Sequence, residues 1–85
     1  MTLNEISQGV KIAISNASNT TPNQIQDKDK ISKYVPAVAK LALVLKIKNQ
    51  FPLVDETEIA NSLYDSINKV NELIDYINSI YNPSV

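Results

Sequence analysis

The side chains in this sequence that could do chemistry are carboxylates, lysines and four tyrosines, because it contains neither histidine nor cysteine. Asp55, Glu56 and Glu58 form the tightest acidic cluster, with Asp65, Glu72 and Asp75 further along. Paired carboxylates can act as general acid and base. Without an imidazole or a thiolate, however, the commonest catalytic dyads and the usual zinc ligand sets are missing. A single glycine, Gly9, excludes both usual phosphate-binding loops. The acids fit helix starts and solvated helix faces better than catalysis. The sequence therefore predicts a protein that is not an enzyme, with no catalytic residue, no cofactor and no metal.

The lysines are unevenly placed. Lys28, Lys30, Lys33, Lys40, Lys46 and Lys48 lie in the first half, and residues 51–85 hold Lys69 against six acids. A nucleic-acid-binding regulator would use the lysine-rich half for phosphate contacts. Two features argue against nucleic acid as the partner. There is no arginine for bidentate recognition, and an acidic segment is joined directly to the basic one. A membrane-surface protein would use the apolar stretch from Tyr34 to Leu45 with its neighbouring lysines. That stretch has no Trp or Phe anchor, and as a helix it spans only about 18 Å against a bilayer core of about 30 Å. Membrane is set aside as a partner on the same footing. Met1–Glu5 show no basic region leading into an apolar one, which predicts a cytoplasmic protein.

The elements that position these groups read as helices. No Asn-Gly or Asp-Gly pair marks a hairpin, so a multi-stranded sheet lacks its turns. Thr2 with Glu5, Thr21 with Gln24, and Asp55 with Glu58 have the spacing in which a cap side chain and a third-position Glu or Gln satisfy the free N–H groups of a helix start. Val54 and Ile59 flank the third of these as a hydrophobic staple. The expected fold is all-α, a small antiparallel three-helix bundle in one domain of 85 residues. Its helices cover 3–17, 30–49 and 56–82, with a further turn or short helix near 22–29. Pro36 either kinks the second helix or marks a new start. The third is a long C-terminal helix with a coiled-coil seam of Ala60, Leu63, Ile67, Val70, Ile74, Ile77 and Tyr81.

Two apolar sets share the second helix. Drawn as one continuous wheel, Ile31, Tyr34, Val35, Val38, Leu41, Ala42 and Leu45 make a broad face assigned to the core. Ala39, Leu43 and Ile47 then lie opposite, as a ridge that faces Ile59 and Leu63 across the Phe51-Pro52 corner. A first helix of about 22 Å cannot cover a third of about 40 Å, which would leave this ridge wet. Ala39, Leu43, Ile47, Ile59 and Leu63 are therefore the candidate interface. The functional expectation is a non-catalytic protein–protein interaction or assembly module, a homo-oligomer or the binder of another protein.

Overall fold

The computed structural model describes residues 1–83 as an all-α globule in which four helices share one apolar core. Helix α1 is Leu3–Asn16, α2 Lys40–Gln50, α3 Glu56–Ser62 and α4 Val70–Tyr81. Helix α1 packs on both α2 and α4, and α2 packs on α3. No helix among the described residues is long and apolar enough to cross a membrane.

The start of α1 follows from its sequence. Thr2 Oγ1 accepts from the Glu5 N–H at 3.2 Å, and Glu5 Oε1 accepts from the Thr2 N–H at 2.8 Å. Both satisfy donors that a helix start otherwise leaves free. Ile6, Gly9, Val10, Ala13 and Ile14 then fall on the buried face. Between α1 and α2 the chain makes three single 3-10 turns, Pro22–Gln24, Ile31–Lys33 and Ala37–Ala39. The first turn is all that forms of the extra helix expected near 22–29. Pro36 precedes the third turn with an extended backbone, and α2 begins beyond it. The segment 30–49 is thus two short turns followed by a helix, because a residue before proline is pushed out of the helical region and proline cannot donate to the preceding turn.

The three-helix expectation fails at residues 63–69. Helix α3 starts at the expected place, with Asp55 Oδ1 accepting from the Glu58 N–H at 2.9 Å, and Val54 and Ile59 are both buried. It ends at Ser62 rather than continuing, and α4 is only 12 residues long. The long C-terminal helix and its coiled-coil seam are therefore corrected to two helices set at a turn. The turn is bound from outside. The Val70 and Asn71 N–H groups, orphans at the start of α4, donate to the carbonyls of Asp29 and Asp27 at 2.9 Å each, and Ile31 N–H donates to the Asn68 carbonyl at 2.8 Å. Glu72 Oε1 accepts from the N–H groups of Asn68 and Lys69 at 3.0 and 2.8 Å. These bonds replace the intrahelical ones that a continuous helix would make; of the seam residues Leu63, Ile67, Val70, Ile74 and Ile77 are buried, and Ala60 and Tyr81 partly so.

Gly9 sets how closely α1 meets the corner after α2. A Cβ there would lie 2.5 Å from Phe51 Cζ, so only glycine admits the ring. Phe51 in turn meets Tyr81 edge to face, with centroids 5.8 Å apart. Lys48 Nζ donates to the carbonyls of Pro52 and Val54 at 2.7 Å each, tying the same corner. Among the described residues, the buried core contains no polar or charged one.

Candidate functional site

The predicted ridge lies inside the protein. Leu43, Ile47 and Ile59 are fully buried, Leu63 is nearly so, and Ala39 is partly buried against the core. Their expected role as a wet interface is corrected on this ground. The face assigned to the core divides instead: Ile31 and Val35 are buried, whereas Val38, Leu41 and Leu45 are 97%, 69% and 56% exposed. The reason is phase. A helical wheel carries a face forward only along an unbroken helix. Here residues 31–39 form two 3-10 turns separated by Pro36, so the phase of Ile31 and Val35 does not extend into Lys40–Gln50. After the restart, Leu43, Val44 and Ile47 point to the core and Leu41, Ala42 and Leu45 point outward.

Helix α4 supplies an internal reference for that outward face. Residues 41–50 and 71–80 show the same order of exposed, half-buried and buried positions. At the exposed positions α4 carries Asn71, Glu72, Asp75 and Ser79, while α2 carries Leu41, Ala42, Leu45 and Asn49. Leu41, Ala42 and Leu45 have the spacing of an apolar helical stripe, and Val38, in the turn just ahead of the helix, is exposed beside them in sequence. The stripe borders a shallow groove of ≈ 280 Å³ between α2 and α3, lined by Leu41, Val44, Glu56, Thr57, Ala60 and Asn61. Its floor is apolar, and Glu56 stands at its edge. The ion pairs among the described residues, Lys11 with Asp27 at 2.9 Å and Lys33 with Asp29 at 3.7 Å, lie elsewhere, so the exposed Asp55 and Glu56 have no cationic partner.

A second depression, of ≈ 340 Å³, is lined by Thr20, Gln24, Lys33 and Tyr34. Tyr34 beside it is tied into the preceding loop. The Tyr34 hydroxyl donates to the Asp29 carboxylate and lies 3.2 Å from the Gln24 carbonyl, and Asp29 also accepts from the Gln26 N–H at 3.1 Å. The Tyr34 hydrogen bond holds the Asp29 carboxyl below the usual carboxylate range, and the same bond pushes the Tyr34 hydroxyl up. This set fastens the loop before α2. Tyr76 and Tyr64 are raised chiefly by burial, the first also by its hydrogen bond to Glu58 at 2.8 Å. The described acids form no group of three that could hold a metal ion.

No family model, curated protein or solved structure matches this chain. Of the first-half lysines, Lys48 donates to backbone carbonyls, Lys11 and Lys33 are in ion pairs, and Lys33 Nζ lies 5.4 Å from the centroid of the Tyr34 ring. The outer face of α2 was missed because its apolar residues were counted as core. A search for apolar residues on both sides of one helix would have found two candidates without saying which was outside.

Proposed function

We propose that this protein is a non-catalytic interaction module that docks one amphipathic helix of another protein along the α2–α3 groove. The observation that carries the reading is the contrast between Leu41, Ala42 and Leu45 on α2 and Asn71, Glu72 and Asp75 at the equally exposed positions of α4. Apolar stripes of this spacing are the usual currency of helix-in-groove recognition. Charge complementarity specifies the partner further. With Glu56 lining the groove and without a cationic partner, the helix that fits has an apolar face with a basic flank.

The test uses two synthetic amphipathic helices, one built of leucine and lysine, the other of leucine and glutamate, titrated against the protein while its amide signals are followed by NMR. The leucine–lysine helix should shift residues 41, 44, 56, 57, 60 and 61 and saturate. Leu41→Lys should abolish the effect, and Glu56→Lys should weaken it and reduce its salt dependence. No saturable binding, equal binding of both helices, or shifts of the same residues by anionic lipid vesicles in place of the peptide would each overturn the reading.

A further inference from the structure

The connection between α3 and α4 is where the described backbone departs most from its own sequence. Apolar positions Ala60, Leu63, Ile67, Val70, Ile74, Ile77 and Tyr81 pass through it without a change of period, and neither glycine nor proline occurs between Glu56 and Asn82. The chain turns nevertheless, with Tyr64 at φ 66°. That is the left-handed region, which a bulky side chain occupies only at a cost. The Tyr64 hydroxyl donates to the Val35 carbonyl at 2.6 Å, and the carbonyls of Asp27 and Asp29 take the first donors of α4, so the turn is held closed by residues 27–35. Within the turn, Tyr64 N–H donates to the Ile67 carbonyl at 2.8 Å and Ile67 N–H to that of Ser62 at 3.0 Å. Short hinges held in a strained conformation are the ones that open to exchange an element between copies of a chain.

We propose that the protein exchanges α4 with a second copy of itself: the 63–69 turn straightens, α3 and α4 join into one helix from Glu56 to Tyr81, and each α4 docks on the other copy. The occupant is fixed by identity. Helix α4 buries Val70, Leu73, Ile74 and Ile77, its Tyr76 reaches Glu58, and its Tyr81 packs on Phe51. In the exchanged dimer all of these contacts are remade with the other copy, so only the hinge differs between the two states. Straightening releases Tyr64 from the left-handed region and lets residues 63–69 form helical hydrogen bonds. It gives up the Tyr64–Val35 bond, the bonds of Val70 and Asn71 to the Asp29 and Asp27 carbonyls, that of Ile31 to Asn68 and the Glu72 cap, and it uncovers Leu63 and Ile67, which are buried in the closed form. On a straight helix those two residues rejoin the seam between Ala60 and Val70, where two such helices crossing at the hinge cover each other. The closed monomer therefore holds at low concentration, and mass action favours exchange as concentration rises. The proposal is independent of the α2–α3 groove, which an exchanged dimer leaves open.

The experiment refolds the full chain from denaturant at low and at high protein concentration and measures molar mass by light scattering. A trace of the Glu58→Cys, Tyr76→Cys variant, spin-labelled at both sites, is included in an excess of unlabelled protein. The two side chains touch in the closed form. On one straight helix they are 18 residues apart, about 27 Å. The expected result is a dimer that grows with refolding concentration and in which the label pair moves from contact to about 27 Å. Tyr64→Ala, which loses the Val35 bond and keeps the strain, should raise the dimer fraction, whereas Tyr64→Gly and Tyr64→Asn, which lose the same bond but relieve the left-handed residue, should each give a dimer fraction several-fold below that of Tyr64→Ala. A chain that stays monomeric after refolding at high concentration overturns the proposal. So does a dimer whose label pair stays in contact, the signature of association through an outer face.

Discussion

Helices α2 and α4 are nearly equal in length and show the same order of buried and exposed positions along residues 41–50 and 71–80, yet only α4 has the composition of a helix that faces water. Inward, the two match: Leu43, Val44 and Ile47 correspond to Leu73, Ile74 and Ile77. Outward they diverge, and so do their beginnings. Helix α4 opens with Glu72 in its first turn and two backbone donors taken by a distant loop, whereas α2 has no acid in its first turn and no side-chain cap on Ala39. The difference teaches that burial does not by itself account for where apolar residues stand in this chain. Core packing explains the inner faces of both helices and leaves the outer face of α2 to be explained by something else.

The largest effects should come where the two helices are alike. Ile47→Ala and Ile77→Ala should each cost about 2–5 kcal/mol in urea unfolding, because both remove fully buried methyl groups from one core. A small cost at one of them and a large cost at the other would break the equivalence. Gly9→Ala should cost about 1–3 kcal/mol by the same measurement, since the new methyl displaces Phe51 from the corner after α2. Where the helices differ, the effect should be small. Leu41→Asn and Leu45→Asp, which give α2 the outer residues of α4, should each change stability by no more than about 0.5 kcal/mol. A melting midpoint that fell steeply would show that these leucines serve the fold. The smallest effect is a pH dependence at the start of α4. The N–H groups of Asn68 and Lys69 hold the Glu72 carboxyl below its ordinary value of 4.5. The unfolded chain therefore binds this proton more readily, so the contribution is present above the unfolded value and is lost as pH falls through the folded one. Glu72→Gln should flatten the acid side of the stability profile, and an unchanged slope would count against the cap.

Much of the fold was legible where the signals are local. The all-α class follows from the absence of hairpin turns, α1 follows from Thr2, Glu5 and a regular apolar face, and the start of α3 follows from Asp55, Glu58 and the Val54–Ile59 staple. The burial of Ile67, Val70, Leu73, Ile74 and Ile77 was legible too, whereas the sequence reading puts Ile59 and Leu63 on a wet surface. What failed depended on residues far apart in sequence. The heptad spacing says which positions are apolar, not that the backbone between them is helical. The turn at Tyr64 is fixed by Val35, Asp27 and Asp29, which no window around residue 64 contains. Asp65, Ser66 and Asn68 are turn-formers, and Asn68 Nδ2 does donate to the Asp65 carbonyl at 2.6 Å, but the regular period outweighed them. The candidate surface failed for a related reason. Which side of α2 faces out depends on where the helix restarts after Pro36, and periodicity cannot supply that phase.

The all-apolar core has a consequence for temperature. Among the described residues no polar or charged side chain is buried, so the core itself is held by the hydrophobic term. That term weakens on cooling, because the heat capacity of unfolding is large and positive, about 1.0–1.3 kcal/mol/K for a chain of this length. The stability of this protein should therefore pass through a maximum near about 10–20 °C and decline on both sides, leaving a small domain with modest reserves in the cold as well as in the heat.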